Sequence, residues 1–239
     1  MKIDFTPEDI HTPNELGIKT IESLDLRVLE EYIDWSPFFR SWDLHGRYPD
    51  ILKDDVVGAQ AQELFADAQA MLKQIFEEKW LTAKAVFGLF KAYAINDDDI
   101  EVIKSIKDTE PSNSLPLGEM PEGQRGENVY VFRTLRQQSK KATGKPNIAL
   151  ADFIAPQESG IQDHIGAFCV STGFGTAEKA VQFEAENDDY NSIMIKTLAD
   201  RLAEAFAEYL HKEVRTIYWG YAQEEQLNNE ALIKEKYRG

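Results

Sequence analysis

Apolar residues recur at helical spacing over two long stretches of this chain. Between Asp54 and Lys79, the side chains of Val57, Ala61, Leu64, Phe65, Ala68, Met71, Leu72, Ile75 and Phe76 fall on one broad stripe. Alanine and glutamine, both good helix formers, fill the rest. Between Asp188 and Tyr218, Ile193, Leu198, Leu202, Ala205, Phe206, Tyr209, Leu210, Val214 and Ile217 follow one another at spacings of three to five. Asn187 and Asp188 stand where a cap is needed. A shorter helical pattern begins near Leu24, with Leu26, Leu29 and Ile33 opposite Glu30 and Glu31. Pro37 either ends it or starts a second short turn. Asn229 to Tyr237 predicts a last short helix, with Gly239 in a stop position.

Between the two long helices the pattern changes to short apolar runs. Ala85 to Phe90 fits a buried strand, Asn96-Asp97-Asp98 a turn, and Ile100 to Ile103 the returning strand of a hairpin. Val129 to Phe132, Asn147 to Ile154 and His164 to Ser171 predict three more strands, and Leu135 to Lys141 a short helix or turn. Gly173-Phe174-Gly175 reads as a turn after a strand. Residues 107–127 are rich in Pro, Gly, Ser and Glu and read as an exposed, inserted loop. Residues 1–24 show no clear period and read as an arm, leaving one domain over 25–239. Strands joined by hairpin-like turns, with no regular alternation of strand and helix, predict an α+β fold. Its centre would be a twisted antiparallel sheet, with long helices at its ends and on one face.

Composition narrows the function classes. The 239 residues carry 42 acidic and 26 basic side chains, a formal charge of −16. Such a surface repels phosphate backbones and anionic bilayers, so neither nucleic acid nor membrane is an expected partner. No apolar run approaches the roughly 18 residues that span a bilayer. The opening Met1-Lys2-Ile3-Asp4-Phe5 lacks the form of a signal peptide, and one cysteine cannot build a disulfide framework. The expected location is the cytoplasm. Cys169, within an apolar run, reads as a buried structural thiol.

The common catalytic patterns are missing. There is no GxGxxG, no phosphate-binding GxxxxGK[ST], no G-x-S-x-G and no HExxH among the four histidines. Glu204, Glu208 and His211 share a helix face, which is more simply its wet side than a metal site. Two segments are unusual. In the first, Tyr32-Ile33-Asp34-Trp35-Ser36-Pro37-Phe38-Phe39 precedes Trp42 and Gly46-Arg47-Tyr48-Pro49. On composition alone it is a hydrophobic plug with Asp34 as a helix cap. In the second, Asp188-Asp189-Tyr190-Asn191 leads into Ala199-Asp200-Arg201-Leu202-Ala203-Glu204-Ala205-Phe206-Ala207-Glu208-Tyr209-Leu210-His211 and then Tyr218-Trp219-Gly220-Tyr221.

Both segments resemble the signature stretches of the activation domain of vitamin B12-dependent methionine synthase. So do Asp55-Val56-Val57-Gly58, Leu135-Arg136-Gln137-Gln138, Ala151-Asp152-Phe153-Ile154-Ala155-Pro156 and Ile165-Gly166-Ala167-Phe168, in the family's order from about residue 25 onward. The resemblance implies a module for repair of the cobalamin cofactor during methionine biosynthesis. It would present S-adenosylmethionine, whose methyl group, with an electron from flavodoxin or a related reductase, restores methylcobalamin from the inactive cob(II)alamin state. Cobalamin itself would belong to a partner domain, and the module would not be catalytic alone. The family's motifs place S-adenosylmethionine binding on Asp34 and Glu204, where a carboxylate suits the ligand's amino group through a charge-assisted hydrogen bond. The family's R-P-A-P-G-Y-P segment, which holds the ligand's carboxylate, is expected just after Gly239, so an incomplete or weak site is expected. The alternatives are a docking module for a cobalamin-binding or electron-transfer protein that holds no S-adenosylmethionine, and an independent methyltransferase.

Overall fold

The computed structural model of the chain describes residues 3–105 and 127–238. It is an α+β fold. Among the described residues five strands, β1 (Gly17–Leu24), β2 (Thr82–Ile95), β3 (Asp99–Ser105), β4 (Glu127–Arg133) and β5 (Asp163–Phe174), form one sheet. Its order is β1-β2-β3-β4, and β5 also pairs with β2. Among the described residues five α-helices accompany it: α1 (Trp35–Ser41), α2 (Gly58–Glu78), α3 (Thr176–Ala185), α4 (Asp189–Glu213) and α5 (Asn229–Ile233). Among the described residues no helix is long and apolar enough to cross a membrane.

The chain divides into two compact units. The first comprises Met1–Lys19, Phe87–Phe168 and Arg215–Gln223. Here the expected hairpin forms. Strands β2 and β3 pair antiparallel through Ala92↔Val102 and Ala94↔Ile100, and Asn96 turns the chain with φ of 55°. Strand β4 adds antiparallel to β3 through Ile100↔Phe132 and Val102↔Tyr130. Ala92, Ala94, Ile100, Val102, Ala151 and Ile154 make its core, with Phe90 and Ile165 packed against them.

The second unit comprises Thr20–Val86, Cys169–Val214 and Glu224–Gly239. Its frame is helical because its two longest periodic segments lie here. Helix α2 buries Ala61, Leu64, Ala68, Met71, Leu72 and Ile75, the expected stripe. Lys79 closes it in the left-handed region, with φ of 54° and its N–H on the Ile75 carbonyl. Helix α4 is capped by Asp188, whose carboxylate accepts from the Asn191 N–H at 3.0 Å, and runs into a π-helical turn over Val214–Tyr218. It buries Met194, Ile195, Leu198, Leu202, Ala205, Phe206 and Leu210, whereas Ile193, read as part of the stripe, is 49% exposed. Helices α1 and α2 both pack on α4.

Several expectations are corrected. The stretch 147–154 is not a strand: Leu150–Phe153 is a 3-10 turn, and Ala151 and Ile154 reach the core from it. Residues 135–141 form no helix. Instead Gln137 donates its N–H to the Ile148 carbonyl at 2.9 Å. The pattern after Leu24 makes a 3-10 turn over Leu26–Tyr32 and then α1, with Pro37 in the first turn of that helix, where no N–H is needed. The last helix ends at Ile233. Residues 17–24 form strand β1, and α3 occupies a stretch with no assigned element. Cys169 is exposed rather than buried. The loop read at 107–127 lies, except for its last residue, outside the described residues.

Candidate functional site

The aromatic segment of the second unit is held by helix chemistry at one end and by a buried ring cluster at the other. Asp34 has extended backbone and caps α1, its Oδ1 accepting the Ser36 N–H at 2.9 Å. One turn on, Phe38 and Phe39 are fully buried. Phe65 of α2 sits at the centre of the cluster. Its ring lies 4.8 Å from that of Trp35 in a perpendicular arrangement, 5.4 Å from Tyr48 and 6.2 Å from Phe39. Offset and edge-on rings at these distances add attraction beyond the area they bury. The plug expected from composition is therefore real.

Beside the plug a cleft of about 420 Å³ opens. Asp34, Trp35 and Ser36 form one part of its wall, Arg47 to Asp50 a second, and Asn229, Glu230 and Ile233 of α5 a third. Hydrogen bonds tie these parts together. Ser36 Oγ accepts the Tyr48 N–H at 3.2 Å. Asn229 Nδ2 donates to the Ile33 carbonyl at 3.2 Å. Asn228 caps α5 by accepting the Ala231 N–H at 3.0 Å.

The cleft carries both signs of charge. Asp34 and Glu230 are among its lining residues, and so is Arg47. Glu230 is held below the ordinary carboxylate range, chiefly by its hydrogen bond with the Lys234 ammonium, with Arg47 and Lys236 adding attraction. A cleft of this size that pairs carboxylates with a cation, beside buried aromatic rings, suits a small zwitterion with a flat apolar part.

Glu204 lies elsewhere on the same unit. It stands on the exposed side of α4, its carboxylate paired with Arg201, which also donates to Asp200 at 2.6 Å. It is not among the residues lining the Asp34 cleft. The next turns of α4 do reach the segment that leads into Asp34: Tyr209 sets its ring 5.6 Å from Tyr32, and the Lys212 ammonium donates to the Tyr32 hydroxyl at 2.9 Å. That bond raises the Lys212 pKa. The two carboxylates thus stand on packed elements, and only Asp34 faces the cleft.

Four other motif residues hold structure. Asp188 is the α4 cap, and the Tyr190 hydroxyl donates to Asp67 of α2 at 2.7 Å. In the first unit, Arg136 grips Asp152 with two parallel hydrogen bonds of 2.7 and 2.9 Å, and donates to the Asp97 and Asn147 carbonyls at 2.6 and 2.9 Å. The guanidinium holds the Asp152 carboxyl far below the usual range. Sequence reasoning placed no role on Asn229 or Arg47. The Asn228-Asn229 pair ahead of the last helix was the available signal for the first. The second lies within the Gly46-Arg47-Tyr48-Pro49 segment, whose sequence alone does not show that it faces α5.

The model of the family described as the vitamin B12-dependent methionine synthase activation domain matches residues 25–239. Among solved structures, this chain is similar to the crystal structure of the MetH reactivation domain bound to AdoHcy (S-adenosylhomocysteine). The two are 46% identical, with a TM-score of 0.84, over 100% of this chain and 68% of that one.

Proposed function

This chain belongs to the activation-domain family of vitamin B12-dependent methionine synthases, and from that premise we propose that it binds S-adenosylmethionine at the Asp34 cleft to support cobalamin reactivation. The observation that carries the proposal is the 46% identity, over the whole chain, to a reactivation domain bound to AdoHcy. That ligand differs from S-adenosylmethionine by one methyl group and the sulfonium charge. In this reading the second oxygen of Asp34, not engaged in the cap bond, accepts from the ligand's α-amino group. The Trp35 and Tyr48 rings offer apolar and cation–π contact to the adenosyl sulfonium. Glu204, which does not line the cleft, is the second proposed ligand residue on the family's motif alone.

When bound, S-adenosylmethionine supplies the methyl group, and cobalamin, held by a partner domain of methionine synthase, receives it. The residues of this chain bind and orient the donor. Flavodoxin or a related reductase is the proposed electron source, and the cytoplasm the proposed location. Calorimetric titration of the chain with S-adenosylmethionine tests the site: Asp34→Ala and Glu204→Ala should each weaken binding, and unchanged affinity in both would sink the assignment.

A second reading has one observation in its favour. The first unit carries an apolar groove of about 470 Å³ lined by Phe90, Val102, Tyr130, Phe132 and Ile165, among others. Tyr130 and Phe132 are 43% and 51% exposed. Such a surface suits docking of another domain. A chain that captures a cobalamin-binding domain while showing no heat of S-adenosylmethionine binding would favour docking alone.

A further inference from the structure

Asp34 can serve a ligand only if its carboxylate points one way, and a cap residue at the mouth of a seven-residue helix is not rigid by itself. Two braces hold it. On the helix side, the Ser36 N–H fixes Oδ1 at 2.9 Å, and the Ser36 hydroxyl is itself fixed by the Tyr48 N–H at 3.2 Å. On the other side, the carbonyl of Ile33 belongs to the same planar peptide unit as the Asp34 nitrogen. That carbonyl accepts from Asn229 Nδ2 at 3.2 Å. A hydrogen bond to that carbonyl restrains the plane that carries the Asp34 nitrogen, and the cap conformation of Asp34, with φ of −82°, then sets the direction in which its Cα–Cβ bond leaves the chain.

Asn229 reaches Ile33 across 196 positions of sequence. It is the first residue of α5, which Asn228 caps, so the carboxamide is presented from an ordered helix start. It also lines the cleft. We propose that Asn229 is a positioning residue for the ligand carboxylate of Asp34, coupling the α5 wall of the cleft to recognition of the ligand's α-amino group. This rests on the reading of Asp34 given above.

The test uses the 239-residue chain and two nucleosides. S-Adenosylhomocysteine carries the α-amino group, and 5′-methylthioadenosine shares the adenosine and sulfur but lacks it. Asn229→Ala should weaken S-adenosylhomocysteine about threefold to tenfold, the range for loss of one neutral hydrogen bond. It should leave 5′-methylthioadenosine within about twofold on the same scale. Asn229→Gln, which keeps a carboxamide donor, should recover part of the loss. In an Asp34→Ala background the Asn229→Ala effect should vanish, because the group it positions is gone. Equal loss for both nucleosides, or an Asn229 effect that persists without Asp34, overturns the positioning role while leaving the Asp34 reading intact. No S-adenosylhomocysteine binding by the unmodified chain, or no effect of Asp34→Ala, overturns the reading and this inference with it. Thermal unfolding of each variant separates a folding defect from a binding one.

Discussion

Replacing Asp34 separates two roles that one carboxylate fills. Its Oδ1 caps α1 at 2.9 Å from the Ser36 nitrogen, and the same group is the proposed partner of the ligand's amino group. Asparagine caps a helix about as well as aspartate, whereas alanine costs about 0.5–2 kcal/mol, typically ~1. In a domain of this size, 1 kcal/mol corresponds to roughly 2–4 °C in Tm. Asp34→Asn should therefore melt within about 1 °C of the parent, and Asp34→Ala roughly 2–4 °C lower. Binding should behave differently. A hydrogen bond to a charged group contributes about 1.5–3 kcal/mol, so both variants should lose roughly tenfold to 150-fold in affinity for S-adenosylhomocysteine. Calorimetric titration and thermal unfolding on the same samples read the two effects separately. An Asp34→Asn chain that binds as tightly as the parent would show that the carboxylate is a cap only. An Asp34→Asn chain that melts as low as Asp34→Ala would show that the cap bond is not what holds the start of α1.

Three further outcomes follow from the packing. Phe39→Ala empties a fully buried site in the ring cluster beside the cleft and should destabilise by about 3–5 kcal/mol, measured by denaturant unfolding. Gly175→Ala should lower stability by at least about 1–2 kcal/mol. Its φ is +98°, and an added Cβ would stand 2.2 Å from the Trp80 carbonyl oxygen; a melt unchanged from the parent would contradict the clash. Asp152→Asn tests a pH dependence. Because Arg136 depresses the folded-state pKa of Asp152, the stabilisation is fully present above the ordinary carboxylate value of 3.8 and is lost as pH falls toward the depressed value. The parent should exceed Asp152→Asn in Tm at pH 7, and the gap should narrow on acidification below about pH 4.

The two long helices were legible in the sequence because helical periodicity is local. The stripe from Ala61 to Ile75 and the Asp188 cap depend only on residues within a turn or two of each other. The Asn96–Asp98 hairpin turn is local for the same reason. Motif order was legible too, and with it the family. What the sequence could not decide is where distant segments meet. The run 147–154 is as apolar as a strand, yet Leu150–Phe153 makes a 3-10 turn, with Asp152 and the Asn147 carbonyl held by Arg136 from outside the run. Cys169 sits in an apolar run on a strand but is exposed, since alternation alone does not say which side of a sheet is covered. The Asn229 brace joins residues 196 positions apart. By itself the sequence determined the two long helices and the Asn96–Asp98 turn. The tertiary structure alone decided which polar groups face the cleft, because that depends on chain paths brought together by packing rather than on any pattern along the chain.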